Sequence, residues 1–429
     1  MRRRSFLFGA AWSAWNCALP GRAAPDSLGT IAYIARDGLW IREAPNGSPR
    51  RLVSGARLVS PRFSPSGKWI AYCQAGVPHV VSSDGGTNVD LGESDARGCQ
   101  WAPGRDELLA DGPAGLSFFT AASRWRGAMR KIAGARLPVV FSPDANEIVY
   151  GDAPANGRGP GGEPMRTGRL CRLALGTPDS RPKVLASEHL AGKIPCAWSR
   201  HGEYIVFWND PDFSASVMAD GLELFRIPAA GGPALSLGIS TLVHDDMLSF
   251  LPAQDKLAVS AGGGRNGWEE KRIAVIDLAT AAKSYPTPNG MAAVSPAWSP
   301  NGTAIAYSAA PGPTAGSGIG GGEPARRLLA KRRIWVVDAN GGSAPKPLTG
   351  DSRYRDEEPV WSADGQRILF CRMADDNSKT LWLMRADGTD AVQLAGPLYI
   401  DPGPQGVDNS WFGYYGYISW RDVFDTRLR

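Results

Sequence analysis

Phe63-Ser64-Pro65-Ser66-Gly67-Lys68-Trp69-Ile70-Ala71-Tyr72 is one copy of a phrase that recurs along the chain. The phrase consists of an aromatic residue, a Ser-Pro turn and an apolar run. Proline fixes φ at the second turn position and glycine accepts a positive φ, so the middle of the phrase forms a tight turn. The β-branched and aromatic residues that follow suit a buried strand.

Six further copies follow, some of them degenerate. We expect each aromatic residue to end one strand and to pack between neighbouring sheets. The aromatic residues of these copies are Trp101, Phe141, Trp198, Phe250, Trp298 and Trp361.

A second phrase alternates with the first: a strand, a Gly- or Asn-containing turn, and another strand. Eight such hairpins begin near residues 39, 79, 116, 169, 222, 272, 333 and 380. One aromatic phrase and one hairpin together supply four strands, which make one blade of a β-propeller. The sequence therefore predicts an all-β propeller.

The two ends of the repeat array are incomplete in complementary ways. Thr30-Ile31-Ala32-Tyr33 precedes the first hairpin without a first strand before it, whereas Tyr417-Ile418-Ser419-Trp420 resembles a first strand with no hairpin after it. Pairing the two would remove an open strand edge. We predict eight blades, with Tyr417 to Arg421 closing the blade that contains Thr30 to Val53. Seven blades with a separate tail is the alternative.

The aromatic-Ser-Pro-Asp/Asn-Gly phrase and the Asp-Gly or Asn-Gly-Gly hairpins resemble the TolB-like repeat, also called PD40 or WD40-like. The resemblance covers nearly the whole chain after its first residues. It implies a β-propeller fold and says little about function. Eight blades would differ from the six of TolB itself, and we do not expect the separate N-terminal domain of that family.

The N-terminus resembles an export signal. Arg2-Arg3-Arg4 precede a mildly apolar run from Phe6 to Leu19, and Gly21-Arg22-Ala23 offers a cleavage site. Arg3-Arg4-Ser5-Phe6-Leu7 resembles the twin-arginine signal. We predict a signal peptide over residues 1–24, one propeller domain over 25–429, and a periplasmic or otherwise exported bacterial protein. An ordinary Sec signal and an unexported chain are the alternatives.

Composition excludes some partners. The chain has 47 basic and 42 acidic residues, but Arg2, Arg3, Arg4 and Arg22 lie in the predicted signal, and without them the counts are 43 and 42. A near-neutral mature chain argues against a nucleic-acid partner. The sequence contains no apolar run long enough for a transmembrane helix.

Five cysteines remain after the predicted cleavage, and an odd number cannot pair completely. Most of them adjoin strand residues, which favours buried free thiols, with one disulfide as the alternative in an oxidising compartment. They are Cys73, Cys99, Cys171, Cys196 and Cys371.

Loop lengths predict the working face of the propeller. The first-to-second and third-to-fourth strand turns are short, whereas several other connections are long and irregular, and long loops on a rigid scaffold carry binding. These long connections span residues 152–169, 209–222, 261–272, 309–333 and 394–417.

Three groups of residues fall on that face, and each has a structural alternative. The first group, Arg353 to Glu358, is a charged run that either leads into a first strand and lines the channel or forms a solvated surface. The second group, His244 to Asp246, contains side chains of the types that bind metal ions, but the whole chain has only four histidines, which argues against a metal site. The third is an aromatic group that forms either a stacking surface or a plug at the closure. The candidate ligand-binding residues are Arg353, Tyr354, Arg355, Asp356, Glu357 and Glu358; His244, Asp245 and Asp246; and Trp411, Tyr414 and Tyr415.

We predict a binding or scaffold protein for a peptide, protein or cell-envelope polymer, acting as a monomer without a cofactor or a bound metal. The sequence contains no G-x-S-x-G, H-E-x-x-H or Walker loop, so we assign no catalytic residue. The alternative is a propeller enzyme, a polysaccharide lyase or hydrolase that uses Arg, Tyr, His and carboxylates at the channel mouth.

The export signal gives a direct test. Replacing Arg3 and Arg4 by lysine keeps the charge but removes the twin-arginine pair, so the precursor should accumulate in the cytoplasm of a bacterial host. Cell fractionation and immunoblotting measure this. A matched variant, Arg2→Lys, should be exported like the parent. Unchanged export of the double variant would favour the Sec pathway.

Overall fold

A computed structural model describes residues 28–429 except for 94–97, 113, 153–156, 159–163, 166, 177–179, 212, 215–216, 314–321 and 402–414. The described chain forms two compact units. Unit 1 contains Arg62–Met218 and Leu222–Asp245; unit 2 contains the described part of Ala18–Pro61, Ala219–Gly221 and Asp246–Arg429. The predicted signal peptide lies outside the described residues, and the prediction of a single domain over 25–429 stays a prediction.

Eight antiparallel four-stranded sheets make up the fold, as the blades of a β-propeller. The predicted all-β class and the count of eight blades are confirmed. In seven sheets the four strands follow one another in chain order, with a small hairpin inserted in blade 4. We number the strands of each blade from the strand whose last residue is the aromatic residue of the phrase; in blade 1, the first strand is Phe424–Leu428.

The strands of the first four blades are bounded as follows. Blade 1 has Phe424–Leu428, Gly29–Ala35, Gly38–Ala44 and Arg50–Ser54; blade 2 has Leu58–Phe63, Trp69–Gln74, Val77–Ser82 and Asn88–Asp90; blade 3 has Cys99–Trp101, Glu107–Gly112, Gly115–Thr120 and Arg130–Ala133; blade 4 has Ala135–Phe141, Glu147–Asp152, Thr167–Ala174 and Lys183–His189, with the hairpin Gly157–Arg158 and Pro164–Met165.

The strands of the other four blades are bounded as follows. Blade 5 has Ala191–Trp198, Tyr204–Pro211, Gly221–Pro228 and Leu235–Leu242; blade 6 has Leu248–Phe250, Lys256–Ala261, Arg272–Asp277 and Lys283–Ser284; blade 7 has Met291–Trp298, Ala304–Pro311, Arg333–Asp338 and Lys346–Pro347; blade 8 has Tyr354–Trp361, Arg367–Ala374, Lys379–Arg385 and Val392–Ala395.

Helical structure is sparse in the described ranges. One short α-helix, Glu323–Leu329, lies in the long connection of blade 7, and three 3-10 turns occur at Val217–Ala219, Asp245–Met247 and Trp420–Asp422. No helix among these residues is long and apolar enough to cross a membrane.

The repeated turn owes its shape to side-chain hydrogen bonds. In blade 7, Ser299 Oγ accepts a hydrogen bond from Ala304 N at 3.0 Å and lies 2.8 Å from Asn301 Oδ1. Gly302 N donates to Ser299 O at 2.9 Å, with Gly302 at φ 72°. The serine therefore fixes the chain reversal, and glycine occupies the left-handed position that other residues adopt at a cost.

The aromatic phrase also joins neighbouring blades. Three tryptophans donate their indole N–H to the carbonyl of the residue that precedes the aromatic of the preceding blade. The bonds are Trp101 Nε1 to Arg62 O at 2.9 Å, Trp298 Nε1 to Ser249 O at 3.0 Å and Trp361 Nε1 to Ala297 O at 3.0 Å. Burying an indole favours a partner for its N–H, so this repeated bond fixes the register between adjacent blades as well as filling the space between them.

Blade 1 is composite, as predicted, but its closing strand was placed wrongly. Phe424–Leu428 pairs with Gly29–Ala35, whereas the predicted strand, Tyr417 to Arg421, includes part of the 3-10 turn Trp420–Asp422. Trp420 is buried but lies outside the blade's strands. The observed strand contains Asp425 and Arg427, so charged residues alternate with uncharged ones along it. The residues before it are more apolar, and the sequence pattern therefore favours them as the strand.

Removal of the closing strand tests its contribution. Deleting residues 424–429 exposes the edge of Gly29–Ala35 and removes the fully buried Phe424. Loss of a buried phenylalanine alone costs about 3–5 kcal/mol, so we expect a larger loss in the free energy of unfolding, measured by denaturant titration. Thr426→Ala, a half-buried position on the same strand, serves as a mild control. A truncated chain with the parent's unfolding midpoint would contradict the assignment.

Candidate functional site

The predicted charged run begins the first strand of blade 8, and most of it is buried. Arg355, Asp356, Glu357 and Glu358 are at most 3% exposed, whereas Tyr354 is half-buried and Arg353 is exposed. Glu358 adopts φ 54° where the strand bulges against its partner. The run is therefore divided between an exposed start and a buried interior.

Glu357 is the centre of a buried ionic cluster. Arg355 Nη2 lies 2.6 Å from its Oε1, and Arg332 Nη1 contacts the same oxygen. Trp420 Nε1 donates to Oε2 at 2.7 Å. Both guanidinium groups also donate to Gly416 O, from Arg355 at 2.9 Å and from Arg332 at 3.0 Å. One carboxylate thus binds two arginines and a tryptophan, and through the arginines it is linked to the backbone at Gly416.

Ionisation of the cluster follows from burial and charge. Burial alone would raise the pKa of Glu357, but the charges of Arg355 and Arg332 and the hydrogen bonds from Trp420 and Arg332 outweigh it and hold the pKa below its ordinary value. Burial lowers the pKa of Arg355 to about 10. Near neutral pH both partners therefore stay charged.

A second buried pair sits beside the first. Arg372 binds Asp356 through two hydrogen bonds, of 2.7 Å and 3.0 Å. The same guanidinium lies 4.6 Å from the ring centre of Tyr354 and 4.4 Å from that of Trp382. Arginine commonly stacks on aromatic faces in this way, and the arrangement fixes the orientation of the half-buried Tyr354.

The segment between residues 416 and 422 is bound to the first strands of two blades. Arg421 Nε donates to Glu358 Oε1 at 2.6 Å, and Ser60 Oγ in blade 2 donates to Asp422 Oδ1 at 2.7 Å. Ser60 occupies the same pre-proline position as Glu358 and has φ 55°. These partly buried contacts position the 3-10 turn that leads into the closing strand.

His244, Asp245 and Asp246 lie at the start of blade 6. His244 is 7% exposed, and Asp245 and Asp246 are partly exposed. Asp246 Oδ1 accepts a hydrogen bond from Tyr417 at 3.1 Å. Within the described ranges no group of three or more His, Cys, Asp and Glu side chains is placed to hold a metal ion.

Trp411 and Tyr414 lie outside the described residues. Tyr415 is 38% exposed, and its carbonyl accepts a hydrogen bond from Gly267 N at 2.9 Å. Its side chain is hydrogen-bonded with Arg265, which is also paired with Asp220 at 2.7 Å. The exposed tyrosine is therefore held beside an exposed arginine.

The long connections of unit 2 are joined into one ordered surface, which we call the loop cluster: residues 219–221, 262–271, 322–332 and 415–423. Arg332 joins three of its segments, because Arg332 Nη2 donates to Gly267 O at 2.8 Å and Nη1 to Gly416 O. Lys271, buried among them, donates from Nζ to Gly264 O at 2.6 Å. The sequence showed long loops but did not reveal that these buried cations order them.

The structure thus brings some predicted residues together. Arg355, Glu357 and the backbone next to Tyr415 meet in unit 2, and Tyr354 begins the same strand. Arg332 and Arg265 were missed, although both lie in long connections that we had marked. A lone arginine in a glycine-rich loop gives no signal of its partner.

Comparisons with known proteins agree with the fold. No protein-family model matches the chain. A tricorn protease homologue of Streptomyces coelicolor is 37% identical in an alignment of 82 residues, and the match covers 17% of this chain and 7% of that protein. The solved structure of dihydro-heme d1 dehydrogenase NirN has a TM-score of 0.57 at 15% identity and covers 88% of this chain and 75% of its own.

TolB of Acinetobacter baumannii is also among the similar solved structures, with a TM-score of 0.40 and 15% identity over 87% of this chain and 65% of its own. The chain has a β-propeller fold, which rests on its own eight four-stranded sheets. At such identities the likeness extends to the fold alone, and the chain spans less than two thirds of the TolB and tricorn homologue chains that it matches.

Glu357→Gln tests the ionic cluster. It keeps the size of the side chain but leaves two buried arginines without a carboxylate, and breaking a buried pair costs about 3–5 kcal/mol. We expect that loss in the free energy of unfolding at neutral pH. Because the pKa of Glu357 is lowered on folding from 4.5, the parent's advantage should persist above that value and disappear as the pH falls through the folded-state pKa.

The matched control is Asp351→Asn, which removes the carboxylate paired with the exposed Arg353 at 2.7 Å. Solvent screens this pair, so the unfolding midpoint should hardly change. Equal effects of the two substitutions would show that Glu357 has no special role.

Proposed function

We propose that the chain is an exported periplasmic binding or scaffold protein, and that its loop cluster, together with Arg353 and Tyr354, contacts a peptide, protein or cell-envelope polymer. The proposal combines the predicted N-terminal export signal with the difference in connection length between the two ends of the blades. It keeps Trp411 and Tyr414 as further contact candidates because both lie within four residues of Tyr415 in the chain.

The asymmetry in connection length carries the proposal. Each of the seven first-to-second turns that follow an aromatic phrase has five residues, as in 362–366 of blade 8. At the other end, the second-to-third connections of blades 4 to 7 are long, and those of blades 6 and 7 are tied to the segment around Tyr415. A rigid scaffold with ordered, unequal loops at one end is the usual arrangement of a binding surface.

The exposed and half-buried side chains on that surface are of the types that dominate binding energy. Tyr415 and Arg265 stand together on the loop cluster, and Arg353 lies 5.2 Å from the ring centre of Tyr354. Tyrosine and arginine are enriched among hot-spot residues because each offers a large contact area and directed hydrogen bonds. Both pairs are held in place before any ligand arrives.

The enzyme alternative has weaker support. A lyase or hydrolase site would need accessible Arg, His and carboxylate groups in one place. Here Arg355, Asp356 and Glu357 are buried in internal ion pairs, and His244 is buried as well. The residues that suggested catalysis in the sequence therefore support the fold.

Affinity capture tests the binding surface. The mature chain is immobilised and exposed to periplasmic extract and to fragments of cell-envelope polymer, and the dissociation constant of the enriched species is then measured. Tyr354→Ala and Tyr415→Ala should each weaken binding about 30-fold, equivalent to ~2 kcal/mol, if the residue is a hot spot.

Gln366→Ala is the matched control, because Gln366 is exposed in the five-residue turn at the opposite end of the strand that Tyr354 begins. It should bind like the parent. Loss of binding only in the control, or protection from hydrogen exchange confined to the five-residue turns, would overturn the proposal.

A further inference from the structure

In blades 2, 3, 4 and 7 the second strand carries a residue that contacts the next blade. It lies ten positions after the aromatic residue of the phrase: Cys73 follows Phe63, Asp111 follows Trp101, Gly151 follows Phe141 and Ser308 follows Trp298. Cys73, Asp111 and Gly151 lie next to the last residue of their strands, and Ser308 lies within the last four residues of its strand. Cys73, Asp111 and Ser308 are buried. The position relative to the aromatic residue is the same in these four repeats, but the type of residue differs.

Three of these positions contact the first strand of the following blade. Asp111 Oδ1 receives Arg136 Nη1 of blade 4 at 3.0 Å, and Ser308 Oγ accepts from Glu358 N of blade 8 at 3.1 Å. At Gly151 the approach is closer still, because a Cβ there would lie 2.1 Å from Lys193 O of blade 5. The position is therefore a point of contact between adjacent blades.

At the blade 2 to blade 3 boundary this contact joins two thiols. The second strand of blade 2, Trp69–Gln74, packs against the first strand of blade 3, Cys99–Trp101. Cys73 and Cys99 are hydrogen-bonded to each other and are 3% and 5% exposed. Both are free thiols in this structure, as are Cys171, Cys196 and Cys371.

We propose that Cys73 and Cys99 are a redox-active pair that forms a disulfide between blades 2 and 3 when the folded chain meets a peroxide or a comparable small oxidant. The juxtaposition of the two sulfur atoms across the blade boundary carries the proposal. Cys171, Cys196 and Cys371 are not part of the proposed disulfide.

Electrostatics favour Cys99 as the sulfur that reacts first. Its hydrogen bond with Cys73 and the charge of Arg62 lower its pKa, against the opposing effect of burial. Burial raises the pKa of Cys171 to about 11 and raises that of Cys196 and Cys371 as well. Because the thiolate is the reactive form, oxidation should be selective for Cys99.

The reaction balances with hydrogen peroxide as the oxidant. The Cys99 thiolate attacks one peroxide oxygen, the O–O bond breaks, and a sulfenic acid and hydroxide form. The Cys73 thiolate then attacks Cys99 Sγ and displaces a second hydroxide, so that the S–S bond forms. With the two thiol protons, the products are one disulfide and two water molecules; two thiols are oxidised and one peroxide is reduced.

The two cysteines fall in different tryptic peptides, residues 69–97 and 98–105. The folded mature chain, reduced and then freed of reductant, is treated with hydrogen peroxide, alkylated, digested without reduction and analysed by mass spectrometry. We expect these two peptides to be linked, the link to be cleaved by dithiothreitol, and the thiol count of the unfolded protein to fall from five to three.

The variants separate this pair from general oxidation. Cys99→Ser should abolish the linked peptide, whereas Cys371→Ser should form it at the parent's rate. The oxidised parent should also unfold about 5 °C higher than the reduced parent, because the crosslink restricts the unfolded chain. This comparison needs no substitution, so it holds even if a variant folds poorly.

Three results would overturn the proposal. One is alkylation or over-oxidation of Cys73 and Cys99 as separate residues in the folded chain. Another is equal linkage to Cys171, Cys196 or Cys371. The third is a linked peptide that appears only after the protein has been unfolded.

Discussion

The contact between Glu357 and its two arginines is the constraint on which unit 2 depends. A carboxylate and two guanidinium groups have been removed from water, and each is stable there only while the others stay in place. Arg332 comes from the long connection of blade 7, Arg355 and Glu357 from the first strand of blade 8, and Trp420 from the final connection. The connections that supply Arg332 and Trp420 must therefore be ordered for the buried cluster to form.

The repeats predicted the architecture well because each carries its own physical logic. The serine, proline and glycine of the turn act locally, and the aromatic residue that ends the first strand recurs at a fixed distance from them, so their spacing predicted the blades and their number. The closing strand was misplaced because Phe424–Leu428 is short and alternates with charged residues, while the apolar stretch around Trp420 packs without joining a sheet. Local pattern does not distinguish a buried turn from a buried strand.

The candidate site was harder to predict for a different reason. A run of six charged and aromatic residues looks alike whether its side chains face solvent or each other, and only the partners decide. Those partners, Arg332, Arg372 and Arg421, are distant in sequence or stand in unremarkable surroundings. The sequence correctly marked the strand and the loops around it, but it did not reveal which side chains remain available to a ligand.

The composite first blade has a consequence for synthesis. Gly29–Ala35 is made long before its neighbour Phe424–Leu428, because the strands of the other seven blades lie between them in the chain. At ordinary rates of translation the gap is roughly 20 to 80 seconds. For that time an apolar strand has one edge without its native neighbour, open to pairing with other nascent chains. A cell that makes this protein has reason to shield Gly29–Ala35 until Phe424–Leu428 has been made.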